Sequence, residues 1–305
     1  MLYVRLARPH QYVKNGFIWL PAFFAHKLWD VTTLWPTFWA FICFCLAASS
    51  VYVLNDLQDL EEDREHPVKK NRPLASGALT SKGAITFLVL LLTFTILLAW
   101  TFLNINFFLV LIAYILLNIG YSISLKHVAI VDIVCIALGF ELRIFAGGLA
   151  ANIAISHWIV IMTFLLAIFL ALAKRRDDLL LCADGHQTRK CIDGYSMEFV
   201  HVGMAIMAAV IIIAYIMYTV SPDTIQKHGT DKLYLTAFWV LLGLLRYLQD
   251  TYVKGQSGSP TQIVLNDRFL QATMALWIIN IYIILYLVKY NVWLERLKAY
   301  LLGSQ

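Results

Sequence analysis

A short segment of the sequence holds residues whose types and spacing could bind a metal ion. Asn55, Asp59 and Asp63 recur every four residues, and Asp56 lies three residues before Asp59. If the chain is helical here, these side chains project from one face. Carboxylate and amide oxygens in an incomplete protein shell suit Mg²⁺, which keeps waters and takes phosphate oxygens as further ligands. We predict that these four residues, called the aspartate array below, bind the metal and that the three aspartates are catalytic; the alternative is a solvated acidic loop.

Basic residues follow the aspartate array directly. The sequence Lys69-Lys70-Asn71-Arg72-Pro73 begins six residues after Asp63. Metal-binding carboxylates beside lysine and arginine form the arrangement expected around a diphosphate, because the cations bind phosphate oxygens with charge-assisted hydrogen bonds. The segment therefore indicates a phosphorylated substrate.

The whole chain is too apolar for a water-soluble domain. Of its 305 residues, 60% are hydrophobic and only 14% are charged, whereas soluble domains carry about 25% charged residues. This composition excludes a soluble globule, a disordered chain and a basic nucleic-acid binder. Apolar stretches of about 20 residues can cross a bilayer as helices. We predict an all-α, polytopic membrane bundle that forms a single domain over 1–305, with nine transmembrane helices at 16–34, 36–54, 84–103, 106–123, 130–149, 157–174, 200–219, 233–252 and 269–289.

The charged residues are concentrated in two segments. Residues 55–83 hold eleven of them and residues 174–198 hold ten. If the N-terminus is cytoplasmic, the cytoplasmic segments carry 16 lysines and arginines, and the segments on the opposite side carry six. Because positive residues are enriched in cytoplasmic loops, we expect a multi-pass protein of the cell (inner) membrane. Its N-terminus and both charged segments should face the cytoplasm, where soluble phosphorylated metabolites are found.

The spacing Asn55-Asp56-x-x-Asp59-x-x-x-Asp63 resembles the first aspartate motif of the UbiA superfamily of intramembrane transferases. The resemblance implies a nine-helix bundle with a central cavity open to lipid. It also implies Mg²⁺-dependent binding of a diphosphate substrate.

A second segment distinguishes the branches of that superfamily. Aromatic prenyltransferases carry a later Asp-x-x-x-Asp motif, but here Lys174-Arg175-Arg176 precedes Asp177 and Asp178, and the next aspartates are Asp184 and Asp193. No pair has the required spacing, and the cationic run resembles the branch that includes decaprenyl-phosphate phosphoribosyltransferase. Further stretches similar to that branch are Arg8-Pro9 with Val13-Lys14-Asn15, Arg64–Pro67, Arg72-Pro73, Tyr121-Ser122 with Leu125-Lys126, Arg143 with Ala146-Gly147, Ser259–Thr261 and Asn266–Arg268.

That branch implies Mg²⁺-dependent transfer of 5-phosphoribose from phosphoribosyl diphosphate to a polyprenyl phosphate, with release of diphosphate. The product would serve synthesis of a cell-envelope glycan precursor. The 5-phosphate and 1-diphosphate of the donor and the phosphate of the acceptor then converge in one cavity. Together they need more cations than a prenyl diphosphate does. The acceptor phosphate is already ionised, so it needs no general base. The residues expected to contact substrate are Lys14, Asn55, Lys70, Arg72, Tyr121, Lys126, Arg143, Lys174, Arg175 and Asp178.

Structural explanations compete with several of these roles. Lys174–Arg176 end a predicted span, where positive charge is expected for membrane orientation alone, and the same explanation applies to Lys126 and His127 after the fourth span. Arg143 is an intramembrane arginine and therefore a functional candidate. It could instead pair with Glu141 or Asp132 as a structural strut.

Two other functions were weighed. An aromatic prenyltransferase of quinone or haem synthesis is disfavoured because the second aspartate motif is missing. A membrane transporter is disfavoured because the charges cluster at one face and the spans show neither Gly/Pro interruptions nor inverted repeats. The length of the polyprenyl chain and the oligomeric state, a homo-oligomer included, are not determined by these residues.

Overall fold

A computed structural model describes residues 1–65, 69–183, 194–253, 263–264 and 266–288, and this part of the chain is helical without strands. It divides into two compact units. The first unit comprises Met1–Ala171 and Asp178–Met197. The second comprises Leu172–Asp177 and the chain from Glu198 onward. The predicted all-α architecture is confirmed.

The α-helices are α1 (Leu2–Ala7), α2 (Leu20–Phe24), α3 (Val31–Gln58), α4 (Leu60–Glu65), α5 (Ser81–Phe102), α6 (Ile105–Ile123), α7 (Val131–Ala150), α8 (His157–Ala183), α9 (Met197–Val220), α10 (Pro222–His228), α11 (Ala237–Tyr252) and α12 (Arg268–Tyr282). Among the described residues, 3₁₀ helices lie between them at Pro9–Trp19, Lys69–Asn71, Leu125–His127 and Lys232–Thr236. A π-helix, Ile283–Val288, follows α12.

Polar residues at helix starts set the boundaries of the long helices. Asp30 accepts a hydrogen bond from the backbone nitrogen of Thr32 at 3.0 Å and caps α3. Asn104 accepts from the backbone nitrogen of Phe107 at 2.9 Å and caps α6. Such caps satisfy amide groups that lack a partner in the first turn. Because α5 ends at Phe102 and α6 begins at Ile105, the two helices form a tight hairpin.

Within the described residues, seven helices are long and apolar enough to cross a membrane. They are α3, α5, α6, α7, α8, α9 and the helix Arg268–Tyr286. The predicted count of nine is not confirmed. The first predicted span, 16–34, is divided between the 3₁₀ helix, α2 and the start of α3, since the chain turns at His26, which has a positive φ of 59°. The eighth corresponds to α11, a helix of 16 residues.

Helix α3 lies at the centre of the first unit and packs against α5, α6, α7 and the 3₁₀ helix Pro9–Trp19. Phe44, Phe107 and Leu111 are fully buried in this core. Gly147 of α7 permits a very close approach, because a Cβ atom there would lie 2.0 Å from the carbonyl oxygen of Ile18. The close contact holds the 3₁₀ helix, which carries Lys14 and Asn15, against α7.

Candidate active site

The aspartate array spans the junction between α3 and α4. Helix α3 ends at Gln58, and Asp59 has φ −90° and ψ 13°, so the chain bends there. Helical hydrogen bonds nevertheless continue through the bend. The backbone nitrogen of Asp59 donates to the carbonyl of Asn55 at 2.9 Å, and that of Asp63 donates to the carbonyl of Asp59 at 2.8 Å. The four-residue register on which the sequence analysis relied is therefore present.

Two aspartates of the array are buried, and arginines neutralise them. Asp56 and Asp63 are each 2% exposed. Arg72 donates from Nη1 to Asp56 Oδ1 at 3.1 Å and also to Asp63 Oδ2. Arg8 donates from Nη2 to the same oxygen of Asp56. Buried carboxylates require such partners, because removing an unpaired charge from water is very unfavourable.

The other two members of the array face the end of α6 and the residues that follow it. Asp59 Oδ1 accepts a hydrogen bond from the ammonium of Lys126, which is buried on the 3₁₀ helix Leu125–His127. Asn55 Oδ1 accepts from the hydroxyl of Ser122. Each member of the array is thus bonded to a cation or a hydroxyl from a distant segment. Lys126 and Arg72 thus contact the array directly, and their binding of phosphate remains a prediction.

Arg8 belongs to this cluster although it was absent from the predicted site residues. It follows α1 with φ 54° and ψ 58°, a left-handed conformation, which costs a non-glycine residue about 1–2 kcal/mol. Burial lowers the pKa of its guanidinium, the Asp56 charge opposes that shift, and the nearby Arg72 charge adds to it. The sequence feature that points to Arg8 is the Arg8-Pro9 pair, one of the stretches similar to the phosphoribosyltransferase branch.

The donor set suits a hard divalent cation. Among the residues that the structure describes, no group of three or more His, Cys, Asp or Glu side chains is assembled into a metal site. The array still offers three carboxylates and one amide oxygen on one side of the α3–α4 junction, and oxygen ligands of this kind are those that Mg²⁺ takes. The metal-binding role of Asn55, Asp56, Asp59 and Asp63 remains a prediction.

Arg143 is buried in α7 and is held by neutral groups. Its Nε donates to Asn15 Oδ1 at 2.8 Å and its Nη2 donates to the Tyr114 hydroxyl at 3.0 Å. Its Nη1 donates to the carbonyl oxygen of Gly139 at 2.6 Å. The guanidinium also lies over the Tyr114 ring, 4.9 Å from its centroid.

Neither acid named as a strut partner pairs with Arg143, so that interpretation is wrong. Asp132 accepts a hydrogen bond from the Tyr195 hydroxyl at 2.6 Å. Both carboxylate oxygens of Glu141 are buried and have no hydrogen-bond partner in the described part of the chain. Glu141 lies two residues from Arg143 on α7, and side chains at that spacing do not face each other on a helix.

The remaining predicted site residues of the first unit lie on four different helical elements. Lys14 is half-buried on the 3₁₀ helix Pro9–Trp19, next to Asn15. Tyr121 is half-buried on α6, immediately before Ser122, and Lys70 is exposed on the 3₁₀ helix Lys69–Asn71. Asp178 is half-buried on α8. Their contacts with substrate remain predictions.

The cationic run on α8 belongs to the second unit. Lys174 is half-buried, whereas Arg175 is fully buried. Arg176 donates from Nε to His201 Nε2 at 3.2 Å, and its guanidinium lies 5.8 Å from the centroid of the Tyr252 ring. Burial of two consecutive arginines exceeds what membrane orientation alone requires, but substrate contacts of Lys174 and Arg175 remain predictions.

Comparisons with known proteins agree with this architecture. The model of the UbiA prenyltransferase family matches residues 17–249. Decaprenyl-phosphate phosphoribosyltransferase of Mycolicibacterium smegmatis is 31% identical over 90% of this chain and 89% of its own length. The protein of the same name from Corynebacterium glutamicum is 30% identical over 93% of this chain and 87% of its own.

A solved structure is similar in fold. The UbiA homolog from Archaeoglobus fulgidus bound to GPP and Mg²⁺ superposes with a TM-score of 0.71 at 18% identity, over 93% of this chain and 99% of that one. At this identity the likeness concerns the fold. Since the family model covers most of the sequence and the relatives align over nearly their whole length, the chain belongs to the UbiA prenyltransferase family.

Proposed function

We propose that the chain transfers 5-phosphoribose from phosphoribosyl diphosphate to a polyprenyl phosphate and releases diphosphate. The observation that carries the proposal is the pairing of the aspartate array with Arg8, Arg72 and Lys126. Carboxylates that suit a metal and cations that suit phosphate occupy one cluster. The names of the relatives and the missing second aspartate motif support this chemistry over prenyl transfer.

In this proposal the cations exchange partners when substrate binds. Asn55, Asp56, Asp59 and Asp63 would hold Mg²⁺, which when bound supplies positive charge to the departing diphosphate. Arg8, Arg72 and Lys126 would turn from the carboxylates to phosphate oxygens, for which arginine and lysine are well suited. Their positive charge would then stabilise the diphosphate as it leaves.

The first unit also contributes shielding from water. Asp56, Asp63 and Lys126 are buried, and a site closed to water protects a reactive oxocarbenium-like centre on the ribose from hydrolysis. The acceptor phosphate is ionised at neutral pH. The scheme therefore needs binding, orientation and charge stabilisation, and no protein nucleophile.

The deciding experiment follows a labelled ribose. Purified protein in lipid nanodiscs receives Mg²⁺, phosphoribosyl diphosphate labelled in the ribose, and a polyprenyl phosphate. We expect the label to enter the lipid fraction, and a chelator to abolish this transfer until Mg²⁺ is restored. If no label reaches the lipid while a prenyl diphosphate is joined to an aromatic acid, the chain is instead an aromatic prenyltransferase.

We also propose that the chain lies in the cell (inner) membrane, with its N-terminus and the array facing the cytoplasm. The asymmetric distribution of lysine and arginine supports this orientation. A product of the proposed reaction, a lipid-linked 5-phosphoribose, is suited to carry a pentose into envelope glycan assembly.

A further inference from the structure

Two basic side chains of the first unit, Lys14 and Arg143, lie near each other without a carboxylate partner. In the described part of the chain, neither forms a salt bridge, whereas Arg8, Arg72 and Lys126 all do. The three hydrogen bonds of Arg143 go to an amide oxygen, a hydroxyl and a backbone carbonyl. The positive charges of Arg143 and Arg8 lie close enough to the Lys14 ammonium to repel it.

This pair of like charges is unfavourable unless an anion joins it. Arg143 is only 6% exposed, and buried cations are normally paired because their desolvation is costly. Asn15 and Tyr114 orient the guanidinium but leave its charge uncompensated. A phosphate group would neutralise both cations through charge-assisted hydrogen bonds.

The pair lies deeper than the aspartate array. On α6, Ser122 contacts Asn55 of the array, and Tyr114 contacts Arg143 eight residues earlier. Eight residues of an α-helix span about 12 Å along its axis, so Tyr114 lies that far from Ser122 along α6. On α3, the sulfur of Cys45 accepts a hydrogen bond from the Asn15 amide at 3.3 Å. Cys45 precedes Asn55 by ten residues, which is about 15 Å along the axis of α3. The residues that contact the array and those that contact the pair therefore lie at different depths along both helices.

The side chain of Arg143 is directed back toward the array. Its bond to the carbonyl of Gly139, one turn earlier on α7, shows that the guanidinium runs toward the start of that helix, as long side chains on helices usually do. The start of α7 follows Lys126, the partner of Asp59. An anion on Lys14 and Arg143 would therefore lie on the membrane side of the array and face it.

We propose that Lys14 and Arg143 bind the monophosphate head group of the lipid acceptor, at a subsite separate from the donor diphosphate. The inference rests on the proposed function, because it divides the substrates of that reaction between two places. A lipid head group enters with its chain in the hydrocarbon and so reaches the deeper place. The soluble donor carries a phosphate monoester of the same chemistry at its 5-position, so the test must separate the two sources.

The test measures binding without turnover. A polyprenyl monophosphate and the polyprenol of the same chain length are each titrated into protein in nanodiscs, with no donor present. We expect Lys14→Gln and Arg143→Gln each to weaken binding of the phosphate about tenfold or more, the effect of one charged hydrogen bond. Polyprenol binding should not change. Lys82→Gln, which alters an exposed lysine of α5, serves as the matched control.

Titration of phosphoribosyl diphosphate with Mg²⁺ forms the second arm. Donor affinity within about twofold of the original protein supports the assignment, because a change below 0.5 kcal/mol excludes a direct charged contact. If donor affinity falls and lipid affinity does not, the subsite takes the donor 5-phosphate and the proposal is overturned. If both affinities persist while the unfolding temperature falls, the cations are only structural, which also overturns it.

Two further features keep the test decisive. If Arg143→Gln does not fold, Lys14→Gln decides alone, and Lys14→Arg should restore lipid binding because it keeps the charge. Since lipid binding is measured without donor, a chain that binds the lipid phosphate but transfers no ribose would contradict the proposed function and leave this subsite standing.

Discussion

At the residue scale, the site is a set of shared ion pairs. Asp56 accepts from both Arg8 and Arg72, and Arg72 also reaches Asp63. A buried ion pair is weak support for stability, because desolvation offsets much of the attraction. Concentration of these pairs at one helix junction is therefore better explained by a requirement for binding charged substrate than by a requirement for folding.

Asp56→Asn should lower the rate of ribose transfer about a hundredfold or more, the scale observed when one preorganised electrostatic contact is removed from an active site. The amide keeps the shape of the side chain but removes a charge that faces two arginines. Initial rates over a range of Mg²⁺ concentrations check this. Glu61→Gln alters an exposed acid of α4 and should leave the rate unchanged. A variant at Asp56 with full activity would exclude the metal role.

Arg72→Lys should reduce kcat/KM for the donor about tenfold and lower the unfolding temperature. Arg72 contacts both Asp56 and Asp63 from Nη1. Lysine would replace its planar guanidinium with a compact, strongly hydrated charge on a flexible stem, so the exchange is not conservative here. Steady-state kinetics and thermal unfolding measure the two effects. Arg64→Lys, at an exposed arginine paired with Glu61, is the matched control. If both variants have the same kinetics, the contacts of Arg72 with Asp56 and Asp63 are dispensable for catalysis.

At the element scale, two close contacts position the functional side chains. The bend at Asp59 carries the helical register from α3 into α4, so the array remains on one side. Gly147 lets the 3₁₀ helix Pro9–Trp19 touch α7, so Asn15 can reach Arg143. Irregular elements beside regular helices thus bring polar groups into the core.

Gly147→Ala should destabilise the protein by about 1–3 kcal/mol, the usual cost of overpacking. The new Cβ would lie 2.0 Å from the carbonyl oxygen of Ile18, so the 3₁₀ helix must move and carry Lys14 and Asn15 away from Arg143. Lipid-phosphate affinity and the unfolding temperature should both fall. Gly16→Ala changes the same 3₁₀ helix where a Cβ meets nothing within 4 Å, and it should match the original protein. Identical behaviour of the two variants would contradict the packing argument.

At the scale of the whole molecule, charge distribution and span length decide the membrane setting. Seven helices in the described part of the chain have the length and composition to cross a bilayer, and the lysines and arginines are concentrated in the segments that the proposed orientation places in the cytoplasm. The soluble donor and the lipid acceptor of the proposed reaction then meet at one membrane face.

Membrane orientation can be tested with an impermeant thiol reagent. In a background with Cys182→Ser and Cys191→Ser, which removes the thiol that is exposed among the described residues and the one that lies outside them, Ser76→Cys should react only in inside-out vesicles. Gln226→Cys should react only in right-side-out cells. Both positions are exposed, so access to the reagent depends on the side of the membrane. Labelling of Ser76→Cys in intact cells would reverse the assigned orientation.

The sequence by itself determined the helical membrane class and the register of the aspartate array. Both follow from local periodicity, because the length of an apolar run and a spacing of four residues depend on neighbours along the chain. It also singled out Arg72 in the basic stretch beside the array, Lys126 in the loop after the fourth predicted span, and Arg143 as a charge within an apolar span. The structure divides the first predicted span into separate elements. The chain turns at His26, and Asp30 caps the start of α3.

Only the tertiary structure decided which side chain pairs with which. Arg8 and Asp56 are 48 residues apart, Lys126 and Asp59 are 67 apart, and Arg143 and Asn15 are 128 apart. Contacts across such separations depend on how helices pack, through close approaches such as that at Gly147, and periodicity carries no information about them. For that reason the sequence identified the charges of the site. The fold showed that Arg8, Arg72 and Lys126 pair with the array, whereas Lys14 and Arg143 form no salt bridge within the described part of the chain.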